Sequence, residues 1–158
     1  MNFDQAHALN EALRAIGIRH RALAGAILAP LGLHPGQEVL LLELAEQGPR
    51  SQVQLAQASG CEPPTITNSV RKLEAAGLVV RRASPTDGRV TIVELSDRGQ
   101  HLVPQLKAAW QQLAERTVAD LDDEPLEPLV QTLTELARSL TASSPPATEP
   151  AQQPRDVA

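Results

Sequence analysis

The chain has 158 residues, 42% of them hydrophobic, with one Trp, one Phe, no Tyr, one Cys and a net charge of −5. That length suits a single domain, and an aliphatic composition with so few rings favours packed helices over a β-sandwich. A lone cysteine excludes an intrachain disulfide. No apolar run reaches the ~18 residues of a membrane span, and the N-terminus lacks the basic stretch and apolar run of a signal peptide, so a cytoplasmic protein is expected.

Residues 5–30 are predicted as a long helix, because Leu9, Leu13, Ile16, His20, Leu23, Ile27 and Leu31 recur at threes and fours on one face. Pro30 and the segment Gly32–Pro35 end it. Residues 36–47 form a second helix, apolar on most sides through Val39, Leu40, Leu42 and Leu44, as a core helix is. Gly48 and Pro49 stop it, and Ser51 is placed to cap a short helix over 52–58. After the turn Ser59-Gly60-Cys61, Pro63 and Pro64 open a helix to about Ala76, with Ile66, Val70 and Leu73 inward and a polar remaining surface. Gly77 ends it. Leu78–Arg82 and Val90–Leu95 read as paired strands around a loop carrying the turn pairs Ser84-Pro85 and Asp87-Gly88.

Ser96 caps a helix from about Asp97 to Asp120, in which Pro104 causes a local irregularity or marks where the regular part begins. A last helix spans roughly 124–141, with a broad apolar stripe of Leu126, Leu129, Val130, Leu133, Leu136, Ala137 and Leu140. Residues 143–158 hold four prolines and almost nothing to bury, the composition of a disordered tail. Helix, turn, helix and two strands around a basic loop, in that order, make a winged helix-turn-helix. The expected fold is mainly α with a small β-wing. Charge is distributed to match: residues 50–90 contain six basic and three acidic groups, a local +3, while residues 1–49 carry −2 and residues 91–158 carry −6. Phosphate contact depends on local charge.

The wing sequence Asp87-Gly88-Arg89, the strand Val90–Leu95 and the following Ser96-Asp97-Arg98-Gly99 resemble the MarR family of winged-helix regulators. Upstream, Leu55-Ala56, Gly60, Pro63, Thr65, Ile66, Thr67, Leu73, Glu74, Gly77 and Leu78 fit the same pattern, and the resemblance covers about residues 5–141. It implies a homodimer, a palindromic operator, and a repressor relieved by a small molecule. On this reading residues 1–34 are an N-terminal dimerisation helix, 35–96 the DNA-binding lobe, 97–142 the C-terminal dimerisation helices and 143–158 the tail. Three positions depart from the family: Glu62 stands where Ser or Asp often caps, Asn68 where many members carry a basic residue, and His34 where Thr is common.

A recognition helix enters the major groove with its N-terminal half toward the base edges. Pro64, Thr65, Thr67 and Asn68 are therefore nearest the bases. Asn68 can bond adenine at N6 and N7, and Arg71 can reach a guanine or a phosphate. Ser51, Gln52, Ser69 and Lys72 suit phosphate contacts, which fix register. Arg89 at the wing tip is a candidate for a narrow minor groove, with Asp87 placed to orient its guanidinium; the alternative is a solvated hairpin charge. Arg81 and Arg82 alternate across the wing as solvated charges or phosphate contacts.

The terminal helices cannot bury their stripes within so small a domain, so Trp110, Leu113, Leu126, Leu129, Leu133, Leu136 and Leu140 are candidates for a dimer interface, with intrachain core packing taking some of them. Some family members bind phenolic carboxylates beside basic groups on the first helix, and Arg14, His20 and Arg21 could serve here; the alternative is a core histidine with surface arginines. Cys61 matches a position the family fills with Val and reads as a small buried side chain, and the family's peroxide-sensing cysteine on the first helix has no counterpart. His7, His20, His34 and His101 lack metal-ligand spacing, and no cofactor is expected. No nucleophile–base set or phosphate loop suggests an enzyme. The rival reading is a helical dimer that binds a protein partner, with a winged helix not used on DNA.

Overall fold

The computed structural model describes residues 1–121 and 125–142, and the tail expected over 143–158 lies outside them. The chain divides into two compact units with the boundary after Ala119. In the first, α1 (Phe3–Leu28) runs into a single 3₁₀ turn (Ala29–Leu31), followed by α2 (Gln37–Gln47), β1 (Arg50–Ser51), α3 (Gln52–Ser59) and α4 (Pro63–Ala75). Strands β2 (Val79–Ala83) and β3 (Thr91–Leu95) and helix α5 (Asp97–Thr117) complete it, and α6 (Leu126–Ala142) belongs to the second unit. The fold is mainly helical with one three-stranded antiparallel sheet, ordered β1-β3-β2. The register pairs Val79 with Leu95, Ala83 with Thr91, and Arg50 with Val93.

The core is wholly aliphatic. Leu28, Leu40, Leu41, Leu55, Ile66, Leu73 and Leu106 are its largest fully buried side chains, drawn from all five helices of the first unit. Two polar residues are buried with them at the start of α2. The Glu38 carboxylate accepts the Gly36 N–H at 2.7 Å and Gln37 Oε1 accepts the His34 N–H at 2.9 Å. Both bonds fold the segment entering α2 back onto its first turn, where a carboxylate is also favoured by the helix dipole.

Local stop signals shape the helix-turn-helix. At the end of α4, Gly77 has φ +70°, its N–H donates to the Glu74 carbonyl at 2.8 Å, and the Leu78 N–H donates to the Leu73 carbonyl at 2.9 Å. That is a Schellman closure, and Leu73 and Leu78, both buried, supply its hydrophobic contact. Gly60 at φ +62° closes α3 in the same way, with Cys61 N–H donating to the Ala56 carbonyl.

Several expectations change. His20, on the predicted apolar stripe of α1, is exposed, as are Leu9, Leu13 and Ile16; along that stripe Leu23 is half-buried and Ile27 buried. Of the residues open to either an interface or the core, Leu113 is a core residue at 2% exposure, while Trp110 is exposed. Cys61 is exposed rather than buried, since the αL turn at Gly60 lifts it away from the core. The helix passes through Pro104 without a break. The two-residue β1 escaped prediction because so short a strand shows no alternation.

Gly99 sits where the first turn of α5 crosses the start of β2. A Cβ there would lie well inside contact distance of the Leu78 carbonyl and 3.3 Å from Leu95 Cδ2. Gly99→Ala is therefore expected to lower unfolding free energy by about 2–3 kcal/mol, as overpacking against backbone does. Denaturant unfolding of the variant checks this, and wild-type stability would show that the crossing is loose.

Candidate nucleic-acid interface

Helices α3 and α4 form the helix-turn-helix. Ser51 caps α3 with a full capping box: its Oγ accepts the Gln54 N–H at 3.2 Å and Gln54 Oε1 accepts the Ser51 N–H at 2.9 Å. Helix α4 opens differently. Glu62 is its N-cap residue and makes no side-chain cap bond. Pro63 and Pro64 carry no N–H, which removes two of the donors a cap would serve. The next two, on Thr65 and Ile66, donate to the Glu62 carbonyl at 3.0 and 3.3 Å.

Ile66, Val70 and Leu73 anchor α4 in the core. At 100° per residue, Pro64, Asn68, Arg71 and Ala75 fall on the opposite line of the helix, and all four are exposed. Thr65 and Lys72 flank this line on one side and Thr67 on the other, all exposed, while Ser69 is half-buried. The Thr67 hydroxyl lies 2.9 Å from Gln52 Oε1 and 3.1 Å from the Pro63 carbonyl, tying the first turn of α3 to that of α4. Arg71 Nη2 donates to Asn68 Oδ1 at 2.7 Å, so the acceptor expected to read adenine is engaged by a neighbour.

The wing is the β2–β3 hairpin. Its loop is closed by Ser84 N–H donating to the Val90 carbonyl at 2.8 Å and Val90 N–H donating to the Asp87 carbonyl at 2.9 Å. Asp87 Oδ1 accepts the backbone N–H of Arg89 at 3.0 Å, so the carboxylate shapes the turn and not the guanidinium as the sequence suggested. Arg81 and Arg82 are both paired with carboxylates, Arg81 with Glu74 at 2.8 Å and Arg82 with Glu94 at 3.0 Å. The hydrogen bond from Arg81 holds the Glu74 carboxyl below its ordinary value and raises the guanidinium in turn. Arg50 lies 3.5 Å from Glu43. Among the described residues, the cations of the 50–90 segment without an ion pair are Arg71, Lys72 and Arg89, on α4 and at the wing tip.

Comparison with known proteins agrees with this geometry. Residues 33–91 match the model of the MarR family. A probable transcriptional regulator from Pseudomonas aeruginosa is 32% identical, with a TM-score of 0.75 over 81% of this chain and 96% of that one. The chain belongs to the MarR family. It is thus a winged-helix transcriptional regulator. Two further relatives are BldR of Sulfolobus solfataricus and BpsR of Bordetella bronchiseptica. BldR is 26% identical, with a TM-score of 0.75 over 88% of this chain and 99% of that one. BpsR is 25% identical, with a TM-score of 0.71 over 85% and 98%, and its DNA binding is regulated by 6-hydroxynicotinic acid.

The residues of this MarR-family chain singled out for a ligand are only partly brought together. His20 lines a cavity of about 270 Å³ between α1 and α5, with Ile16, Arg19, Leu23, Arg116 and Thr117. Arg14 is instead bonded to Glu11 at 2.7 Å, and Arg21 is exposed outside the lining. Arg19 was within reach of sequence reasoning, three residues from Ile16 on the same helix. Arg116 was not, because only the packing of α1 on α5 brings it there.

The two helix caps make opposite predictions. Ser51→Ala should cost about 1 kcal/mol of stability, since it removes a capping box. Glu62→Ala should change stability by less than about 0.5 kcal/mol, because the prolines leave little to cap. Denaturant unfolding of both variants checks the pair; similar losses would show that Glu62 does cap α4.

Proposed function

We propose that the protein is a homodimeric repressor that binds a palindromic operator and is released by a small anionic, partly apolar effector. The observation that carries the DNA part is the placement of Arg71, Lys72 and Arg89, the ion-pair-free cations of the 50–90 segment among the described residues, on the exposed line of α4 and at the wing tip. In this reading Pro64, Thr65, Thr67, Asn68 and Arg71 face the major groove, and Ser51, Gln52, Ser69 and Lys72 hold phosphates. Arg89 enters the minor groove from a turn that Asp87 shapes.

Residues 1–34 and 97–142 serve as dimerisation helices, and 35–96 as the DNA-binding lobe. Support comes from the exposed Leu9, Leu13 and Ile16 along one line of α1 and, separately, from the exposed Leu126, Val130, Leu133 and Leu136 of α6. On each helix a row of exposed apolar side chains suits an interaction face. A twofold axis would set two α4 helices about one DNA turn apart.

For the effector, the His20 cavity combines two guanidinium groups and an imidazole with Ile16 and Leu23. A wider hollow between α2 and α5 presents Glu43 and Glu46 against Lys107, beside Trp110, which suits an anion less. The regulation of BpsR by a heteroaromatic acid points to the same ligand class.

Selection from a random duplex library at physiological salt should enrich one inverted repeat with half-sites about a helical turn apart. No enrichment from a folded dimer would move the weight to a protein-binding role. On the enriched operator, Arg89→Ala should weaken binding several-fold or more; unchanged affinity would take the wing out of the mechanism.

The effector reading has its own check. Titration with 6-hydroxynicotinate, followed by calorimetry, should show saturable binding that Arg116→Ala reduces by about tenfold or more, as loss of a charge-assisted contact does. Equal binding by the variant would place the ligand elsewhere.

A further inference from the structure

We propose that Arg71 reads a guanine in each half-site and that Asn68 acts on it as a positioning residue instead of reading an adenine. The proposal rests on the DNA-binding reading above and names the base that the recognition helix selects.

Along the exposed line of α4, Pro64 and Ala75 have no side-chain hydrogen-bonding groups, so Asn68 and Arg71 supply all the polar chemistry there. An asparagine reads adenine by accepting from N6–H₂ while donating to N7. Here its acceptor, Oδ1, already takes a hydrogen bond from Arg71 Nη2 at 2.7 Å. What the pair has left for a ligand is one lone pair of Asn68 Oδ1, turned toward Arg71, against the two N–H groups of Asn68 Nδ2 and the remaining N–H groups of the guanidinium, so donors dominate. In the major groove guanine offers two adjacent acceptors, O6 and N7, whereas adenine sets a donor beside its acceptor. A surface dominated by donors satisfies both acceptors of the first, whereas the N6–H₂ of the second faces mostly N–H groups.

The partner at position 68 also suits this role. The other ion-paired or hydrogen-bonded arginines of the lobe, Arg50, Arg81 and Arg82, contact carboxylates that offset their charge. Arg71 is held by a neutral amide, which sets the direction of the guanidinium and leaves its charge for DNA. Fixing that long side chain before contact also lowers the conformational entropy lost on binding.

The test is selection from a random duplex library with the full chain as wild type, Arg71→Lys and Asn68→Ala, all shown to be folded by circular dichroism. Wild type should enrich a guanine at a fixed place in each half-site. Arg71→Lys keeps the charge and loses the fork. It should retain affinity for mixed-sequence DNA and its salt dependence, while discrimination of guanine over adenine at that place falls about tenfold or more. Asn68→Ala should keep guanine as the preferred base with several-fold weaker discrimination. An adenine whose preference disappears in Asn68→Ala and survives in Arg71→Lys would overturn the proposal. So would an Arg71→Lys motif identical to wild type, which would make Arg71 a phosphate contact. Failure of wild type to enrich any sequence would overturn the DNA-binding reading itself, so the two failures are separable.

Discussion

Ser96 joins the recognition helix to the rest of the molecule. Its hydroxyl donates to the Gly77 carbonyl at 2.6 Å and accepts the Gly99 N–H at 3.0 Å, while its backbone N–H donates to the Leu78 carbonyl at 3.0 Å. One residue thus caps α5, ends β3 and holds the chain just after α4. The contact is possible only because Gly99 lets the first turn of α5 cross the Leu78 backbone without a Cβ in the way. The direction of α4, and so the line of side chains it presents, is set from both ends. Thr67 and Gln52 fix its first turn against α3, and the Schellman turn at Gly77 with Ser96 fixes its last. A site that must hold a few side chains in register needs this kind of support from behind.

Charge follows a similar logic. A count of basic residues between 50 and 90 overstates the positive surface, because Arg50, Arg81 and Arg82 lie beside Glu43, Glu74 and Glu94. Of these, the more exposed Arg81 and Arg82 pairs add little stability. Their effect is to thin the field along the sides of the wing and leave it at the tip and on α4. With a net charge of −5 over the whole chain, that thinning keeps attraction to phosphate local.

The helix-turn-helix was legible in the sequence because its signals are local: Ser51 at one end of α3, Gly60 at the other, two prolines before α4 and a glycine after it. Each acts over four or five residues, and each fell within a residue or two of its predicted place. Features that depend on which distant elements meet were not legible. Leu113 has the same spacing as an interface residue and becomes core because α5 packs on α1 and α2. The guanidinium groups beside His20 turn out to be Arg19 and Arg116, since Arg14 finds Glu11 one turn away on its own helix. The Asn68–Arg71 contact lies between. Its i, i+3 spacing was visible, but spacing alone does not say whether the amide oxygen faces its neighbour or the solvent.

The effector reading makes a particular demand on α5. Arg116 lines the His20 cavity near the C-terminal end of this helix, and Gly99 lies against the Leu78 carbonyl in its first turn. Those two places are separated by about 25 Å of helix at 1.5 Å per residue. Between them Pro104 offers no N–H to the Gln100 carbonyl, yet the helix continues through it. A ligand in the cavity alters DNA binding only to the extent that it binds one setting of α5 more tightly than another. A small tilt of α5 at Arg116 could be absorbed at the proline or passed to the Gly99 crossing. Because the nearest contact at that crossing is backbone against backbone, what the Leu95 side chain does not absorb must move Leu78 and, through the Gly77 turn, the end of α4.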